Sequence, residues 1–153
     1  YCPHCYNFSK TVVPKILAEK PAGVEFNQAH VDFIGKEMGV EMSRAFAVAH
    51  QLNVDEKIDA ALFAAIHDKK QHFTSRDDVR ALFVANGVDG KAFDAAADSF
   101  MVKAQMAKMK RDTENAKLSG VPAIVVNGKY RVETGAIKSY DELLDIAYYL
   151  ARK

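Results

Sequence analysis

Cysteine is scarce in this sequence, with only Cys2 and Cys5 among 153 residues, both within the first five positions. A structural disulfide framework needs more cysteines, spread along the chain so that they close longer loops. A bridge across two intervening residues closes too small a loop to restrict the unfolded chain much. Charge of one sign is lacking too: Lys plus Arg is 21 against 20 for Asp plus Glu, a net charge of +1. Nothing there draws nucleic acid or an anionic membrane surface. The basic group Lys108, Lys110 and Arg111 is followed by acids and reads as a solvated helix face. No apolar run approaches the ~18 residues that span a bilayer. The longest candidate, Ala60 to Ile66, reads as one side of a helix. What is present is the composition of an ordinary globule, 49% apolar and 27% charged. This length suits one core, or a core with a sub-domain.

Patterning divides the chain into an α/β frame and a helical block. The spacing predicts a helix over 3–18, with Pro3 tolerated in its first turn and Pro14 kinking it. Residues 24–31 alternate apolar and polar, the period of a half-buried strand. From Gly35 on, helical spacing takes over, with helices expected over 43–52, 55–69, 75–86 and 90–111. Ser75 with Asp78 resembles a capping box, and Asn86-Gly87 is a helix stop. A short helix is expected over 112–118, ending at Ser119-Gly120. Two short runs, 123–126 and 130–132, flank Asn127-Gly128 and read as a hairpin. Ser139, with Glu142 three residues later, opens a last amphipathic helix to Leu150. Phe33, Phe63, Phe83 and Phe100 fall on apolar faces and read as core. His30 reads as a core histidine with a partner, and Met101, Met106 and Met109 as packing of the long helix. Tyr148-Tyr149 reads as helix packing plus a wet hydroxyl.

The chemistry is concentrated in Cys2-Pro3-His4-Cys5. A helix N-terminus carries unpaired N–H groups and a partial positive charge, so a thiolate at Cys2 is stabilised there. Cys5, one helical turn on, is placed to close a disulfide with it, and His4 adds a donor or a positive charge nearby. Favouring the Cys2 thiolate favours the reduced pair, which makes the disulfide a stronger oxidant. The expected direction is therefore donation of disulfides. Zinc would need two further ligands. Among His30, His50, His67 and His72 only the last two, five apart, approach ligand spacing.

A second element is Gly120-Val121-Pro122-Ala123, a proline at a strand start and so a candidate cis peptide bond. Taken together, Cys2-Pro3-His4-Cys5-Tyr6, the helical block, this Val-Pro loop and Val126-Asn127-Gly128-Lys129-Tyr130 closely resemble the DsbA family of periplasmic thiol:disulfide interchange proteins. The resemblance covers essentially the whole chain.

It implies a thioredoxin fold over 1–34 and 112–153, interrupted by an inserted helical domain over 35–111. It further implies Cys2 as the exposed attacking cysteine and Cys5 as the buried resolving one. Pro122 would be a cis-proline facing the disulfide, Val121 would offer its backbone to an extended substrate, and His4 would tune the thiolate. An unusually acidic thiol and a strongly oxidising disulfide are properties of that family. Expected substrates are reduced, unfolded exported proteins, and the expected reoxidant is a DsbB-like quinone-linked membrane oxidase. The expected compartment is the periplasm, and no metal or organic cofactor is called for. A monomer is expected from the unpatterned charge and the lack of heptads. Two departures stand out. The strands expected ahead of the first helix are missing, so a preceding segment is expected upstream of Tyr1. Gln28 stands where the family's type member has a buried lysine. Other functions to be separated are a disulfide isomerase or reductase, a kappa-type glutathione transferase, and a non-catalytic module using its thiols only as ligands.

Overall fold

The computed structural model describes all residues from Tyr1 to Lys153. It divides into two compact units, one of Cys2–Gln28 with Thr113–Lys153, the other of Ala29–Asp112 with Tyr1. Residues 29–34, expected in the α/β frame, belong to the helical unit.

The first unit begins with α1 (Pro3–Thr11) and α2 (Val13–Glu19). They are separate helices because Pro14 has no N–H to offer the Lys10 carbonyl and its ring crowds that turn. The break falls at Val12, whose N–H still reaches the Phe8 carbonyl at 2.8 Å. Residues 24–31 form no strand. Their alternation survives as burial only over the first four, with Val24 and Phe26 half-buried and Glu25 and Asn27 exposed, and stops at Gln28, which is exposed as well. A strand needs a ladder partner, however, and the sheet consists only of β1 (Val125–Val126) and β2 (Tyr130–Arg131). This hairpin is antiparallel, with Val125 opposite Arg131 and Val126 opposite Tyr130. Asn127 and Gly128 both have positive φ, 55° and 65°, as a tight two-residue turn requires. The last helix of the unit, here α8 (Tyr140–Ala151), is capped by the Ser139 hydroxyl, which accepts from the Glu142 N–H at 3.2 Å. Its apolar face supplies Leu143 and Ala147 to a cluster with Val126 and Val132. Leu144 joins Val12 and Ile16 in a second cluster, against which Tyr148 packs. Tyr149 is exposed, with the Lys153 ammonium 4.9 Å from its ring centre.

The second unit contains α3 (Glu37–Gln51), α4 (Asp55–Phe63), α5 (Arg76–Ala85), α6 (Gly90–Ala97) and most of α7 (Phe100–Asn115). A π-helical turn, Ala64–Asp68, prolongs α4. Val48, Ile58, Phe83 and Val102 are fully buried, and Phe83 meets Phe93 edge to face at 4.8 Å between ring centres. The helix expected over 90–111 is two helices. The Ser99 hydroxyl accepts from the Val102 N–H at 3.2 Å and so starts α7 afresh. That helix continues to Asn115, leaving no separate helix over 112–118. The restart also leaves Phe100 81% exposed, and Phe33 is 43% exposed; both are surface residues, contrary to the expectation of core. Ser75 caps nothing with its side chain; Asp78 instead accepts from the Thr74 N–H and hydroxyl at 2.8 and 3.0 Å. Across the unit, the Glu41 carboxylate holds both Arg44 and Arg76, and Arg76 reaches Asp98 as well. No helix is long and apolar enough to cross a membrane.

Burial, with the Asp55 charge as a smaller cause, pushes the Asp59 carboxyl far above the ordinary carboxylate range, to about 7. The folded chain thus holds this proton more tightly than the unfolded chain does. The associated stability is full in acid, below about pH 4, and is lost as pH rises through about 7. Asp59→Asn should flatten that decline in denaturant unfolding measured between pH 4 and 8. An unchanged slope would show that Asp59 does not set it.

Candidate functional site

Cys2 occupies the N-cap of α1, with extended backbone (φ −91°, ψ 112°), and Pro3 follows at the first helical position. Pro3 suits that position because its missing N–H would have no helical partner anyway. The Cys5 N–H donates to the Cys2 sulfur at 3.2 Å, so an orphan helix donor points at the atom where negative charge would reside. On its other side the Cys2 thiol donates to the Val121 carbonyl at 3.6 Å. The Val121–Pro122 peptide bond is cis, and both residues are half-buried.

Both cysteines are free thiols. Each is half-buried, so the expected contrast between an exposed and a buried cysteine is absent from their accessibility. The contrast lies in their chemistry. Burial, then the hydrogen bond with Cys2 and the Cys2 charge, push the Cys5 thiol up to about 12. Cys5 therefore keeps its proton at neutral pH while Cys2 is the sulfur supplied with a donor.

His4 is exposed on the outer side of α1 and lines a groove of about 480 Å³. Phe8, Val121, Pro122, Arg131 and Tyr140 line it too, and Phe8 meets Tyr140 edge to face at 5.9 Å. The fold thus brings Cys2, Pro3, His4, Cys5, Val121 and Pro122 to one place. His30 belongs to the helical unit, with its ring nitrogen 2.7 Å from the Ser43 hydroxyl. Burial lowers its pKa to about 4, so it is neutral at physiological pH. Met109 is buried and accepts from the His30 N–H, Met106 packs on the helical core, and Met101 is exposed. Phe8, Arg131 and Tyr140 were not foreseen at the site. Phe8 carried a signal, because it lies one helical turn beyond His4 on α1.

A Cys-X-X-Cys pair at a helix start, facing the carbonyl before a cis-proline, defines a thioredoxin-like redox site. The family model described as "DSBA-like thioredoxin domain" matches residues 1–146, and the chain belongs to that family. Its relatives include the thiol:disulfide interchange protein DsbA of Escherichia coli K12, 37% identical over 134 residues, and that of Salmonella typhimurium LT2, 40% identical. Each alignment covers 86% of this chain but only 64% of the relative, so the chain spans less than two thirds of their length. Among solved structures, Proteus mirabilis DsbA with a non-covalently bound peptide PWATCDS superposes with a TM-score of 0.91 at 33% identity, covering 100% of this chain and 85% of that one. Pseudomonas aeruginosa DsbA gives 0.87 at 32% identity, covering 99% and 77%. The fold is accordingly a thioredoxin-like domain with a helical insertion.

Proposed function

We propose that this protein is a thiol–disulfide oxidoreductase that donates the Cys2–Cys5 disulfide to reduced, unfolded proteins in the periplasm. The observation that carries this reading is the placement of the Cys2 sulfur between the Cys5 N–H and the Val121 carbonyl, beside a Cys5 held as a thiol. In the oxidised protein, a substrate thiolate attacks Cys2; the Cys2–Cys5 bond breaks and Cys5 leaves, taking up a proton as its high pKa demands. A second substrate thiolate then attacks the substrate sulfur of the mixed disulfide and releases Cys2 as thiolate, stabilised by the Cys5 N–H. The substrate loses two electrons and gains a disulfide; the protein gains two electrons. The cycle closes by reoxidation, assigned to a DsbB-like quinone-linked membrane oxidase. These steps use the two sulfurs and no metal or organic cofactor. In this reading His4, which lines the groove, tunes the thiolate, and the Val121 backbone aligns an extended substrate.

Equilibration with glutathione redox buffers tests the direction. The expected result is a Cys2–Cys5 disulfide that oxidises reduced glutathione readily, with about one disulfide passed to a reduced protein per chain. A pair that stays oxidised in millimolar reduced glutathione would instead mark a reductase, and a pair with no disulfide exchange would mark a binding module.

A further inference from the structure

The loop carrying Val121 and Pro122 leaves α7 through a left-handed corner. Lys117 has φ 53°, a conformation that a residue with a Cβ keeps only when its surroundings hold it. Two bonds close the helix end there, from the Leu118 N–H to the Thr113 carbonyl at 3.1 Å and from the Lys117 N–H to the Glu114 carbonyl at 3.0 Å. They leave the carbonyls of Ala116 and Lys117 at the helix end in want of donors. Arg131 supplies them from β2. Its Nη1 donates to the Lys117 carbonyl at 2.8 Å and the Ala116 carbonyl at 3.2 Å, while Nη2 donates to the Glu133 carboxylate at 2.9 Å. A cation at the C-terminal end of a helix is also electrostatically favoured.

Arg131 is itself fixed. It pairs with Val125 in the hairpin, and the next residue, Val132, donates its N–H to the Ile124 carbonyl at 3.0 Å. One hairpin therefore holds both ends of the segment between, the entry through the guanidinium and the exit through the ladder. That segment, 118–124, lines the groove along its whole length and presents the Val121 carbonyl to Cys2.

We infer that Arg131 is a positioning residue for substrate. By clamping the Ala116 and Lys117 carbonyls it sets where the Val121–Pro122 edge stands to receive an extended peptide, without touching either sulfur. The inference rests on the proposed disulfide exchange and deepens it. An arginine serving only to hold the chain together would alter stability alone. One acting on the sulfurs would alter their redox equilibrium. A positioning residue alters peptide binding and leaves that equilibrium as it was.

Arg131→Ala in the full chain, assayed with a reduced cysteine peptide, should raise KM about tenfold while kcat moves less than about twofold. The equilibrium constant of the Cys2–Cys5 pair with glutathione should stay within about twofold of the parent. Arg131→Lys, which keeps a cationic donor on a long stem, should recover most of the KM. Should Arg131→Ala fail to fold, Arg131→Gln carries the same two measurements. An unchanged KM in the folded variant overturns the inference, and so does a KM that shifts together with the glutathione equilibrium. If the parent protein oxidises neither peptide nor glutathione, the functional reading itself fails, which is a separate outcome.

Discussion

Replacing Cys2 by serine should slow disulfide transfer to a reduced, unfolded protein by at least about 10³-fold, because the variant has no disulfide to give and loses its activated sulfur. The residual thiol is Cys5, and it does not substitute. Burial is the first cause of its raised pKa of about 12, and burial persists when Cys2 is gone. A thiol whose pKa burial holds above the ordinary value has little thiolate at neutral pH, so attack by Cys5 on any external disulfide is slow. The helix N-terminus does not compensate. Its N–H at Cys5 is aimed at the Cys2 sulfur, 3.2 Å away, and a serine hydroxyl there accepts the bond without becoming a nucleophile at neutral pH. Loss of free thiols from a reduced substrate protein, followed with parent and variant side by side, reads the effect directly. A variant retaining even a tenth of the parent rate would place the exchanging sulfur somewhere other than Cys2.

The parts of this site that are legible in the sequence are those whose geometry is local. Cys2 and Cys5 stand one helical turn apart, and the helix that joins them is announced by Pro3 in its first turn, so spacing alone brings the Cys5 N–H toward the Cys2 sulfur. The hairpin was equally readable, since Asn127-Gly128 tolerates the two positive φ values that a tight turn demands. Arg131 was not. Its partners lie 14 and 15 residues back along the chain, and no periodicity relates a strand arginine to two carbonyls at a helix end. Residues 24–31 failed for a related reason: alternation records which side chains are half-buried, whereas a strand also needs a neighbour to take its hydrogen bonds. Phe100 shows the limit of helical periodicity. The apolar phase runs on through Asp98 and Ser99 in the sequence, but the hydroxyl of Ser99 starts a new helix, and the phase that would have buried Phe100 is lost.

Cys5→Ser should convert a turning-over protein into one that stalls as a mixed disulfide. Cys2 keeps its place at the helix start, next to the backbone N–H of residue 5, which serine retains, so its attack on an external disulfide continues. What is removed is the internal exit. In the parent, Cys5 is held one turn away from Cys2, so resolution is intramolecular, and well-oriented intramolecular steps carry effective molarities of about 10⁵ M or more. In the variant, release depends on an external thiol at millimolar concentration. Exposed to glutathione disulfide and then passed into thiol-free buffer, the variant should carry one glutathione on Cys2, and the adduct should outlast that of the parent by at least about 10³-fold. The parent should show no lasting adduct, because Cys5 displaces glutathione and closes the ring. The rate of that displacement should rise with pH throughout the neutral range, since burial, the largest cause of the raised Cys5 pKa, persists in the adduct and keeps the attacking thiolate scarce. Mass spectrometry of quenched samples over a pH series measures both quantities. A Cys5→Ser protein that sheds its adduct as fast as the parent would show that Cys5 is not the sulfur that resolves Cys2.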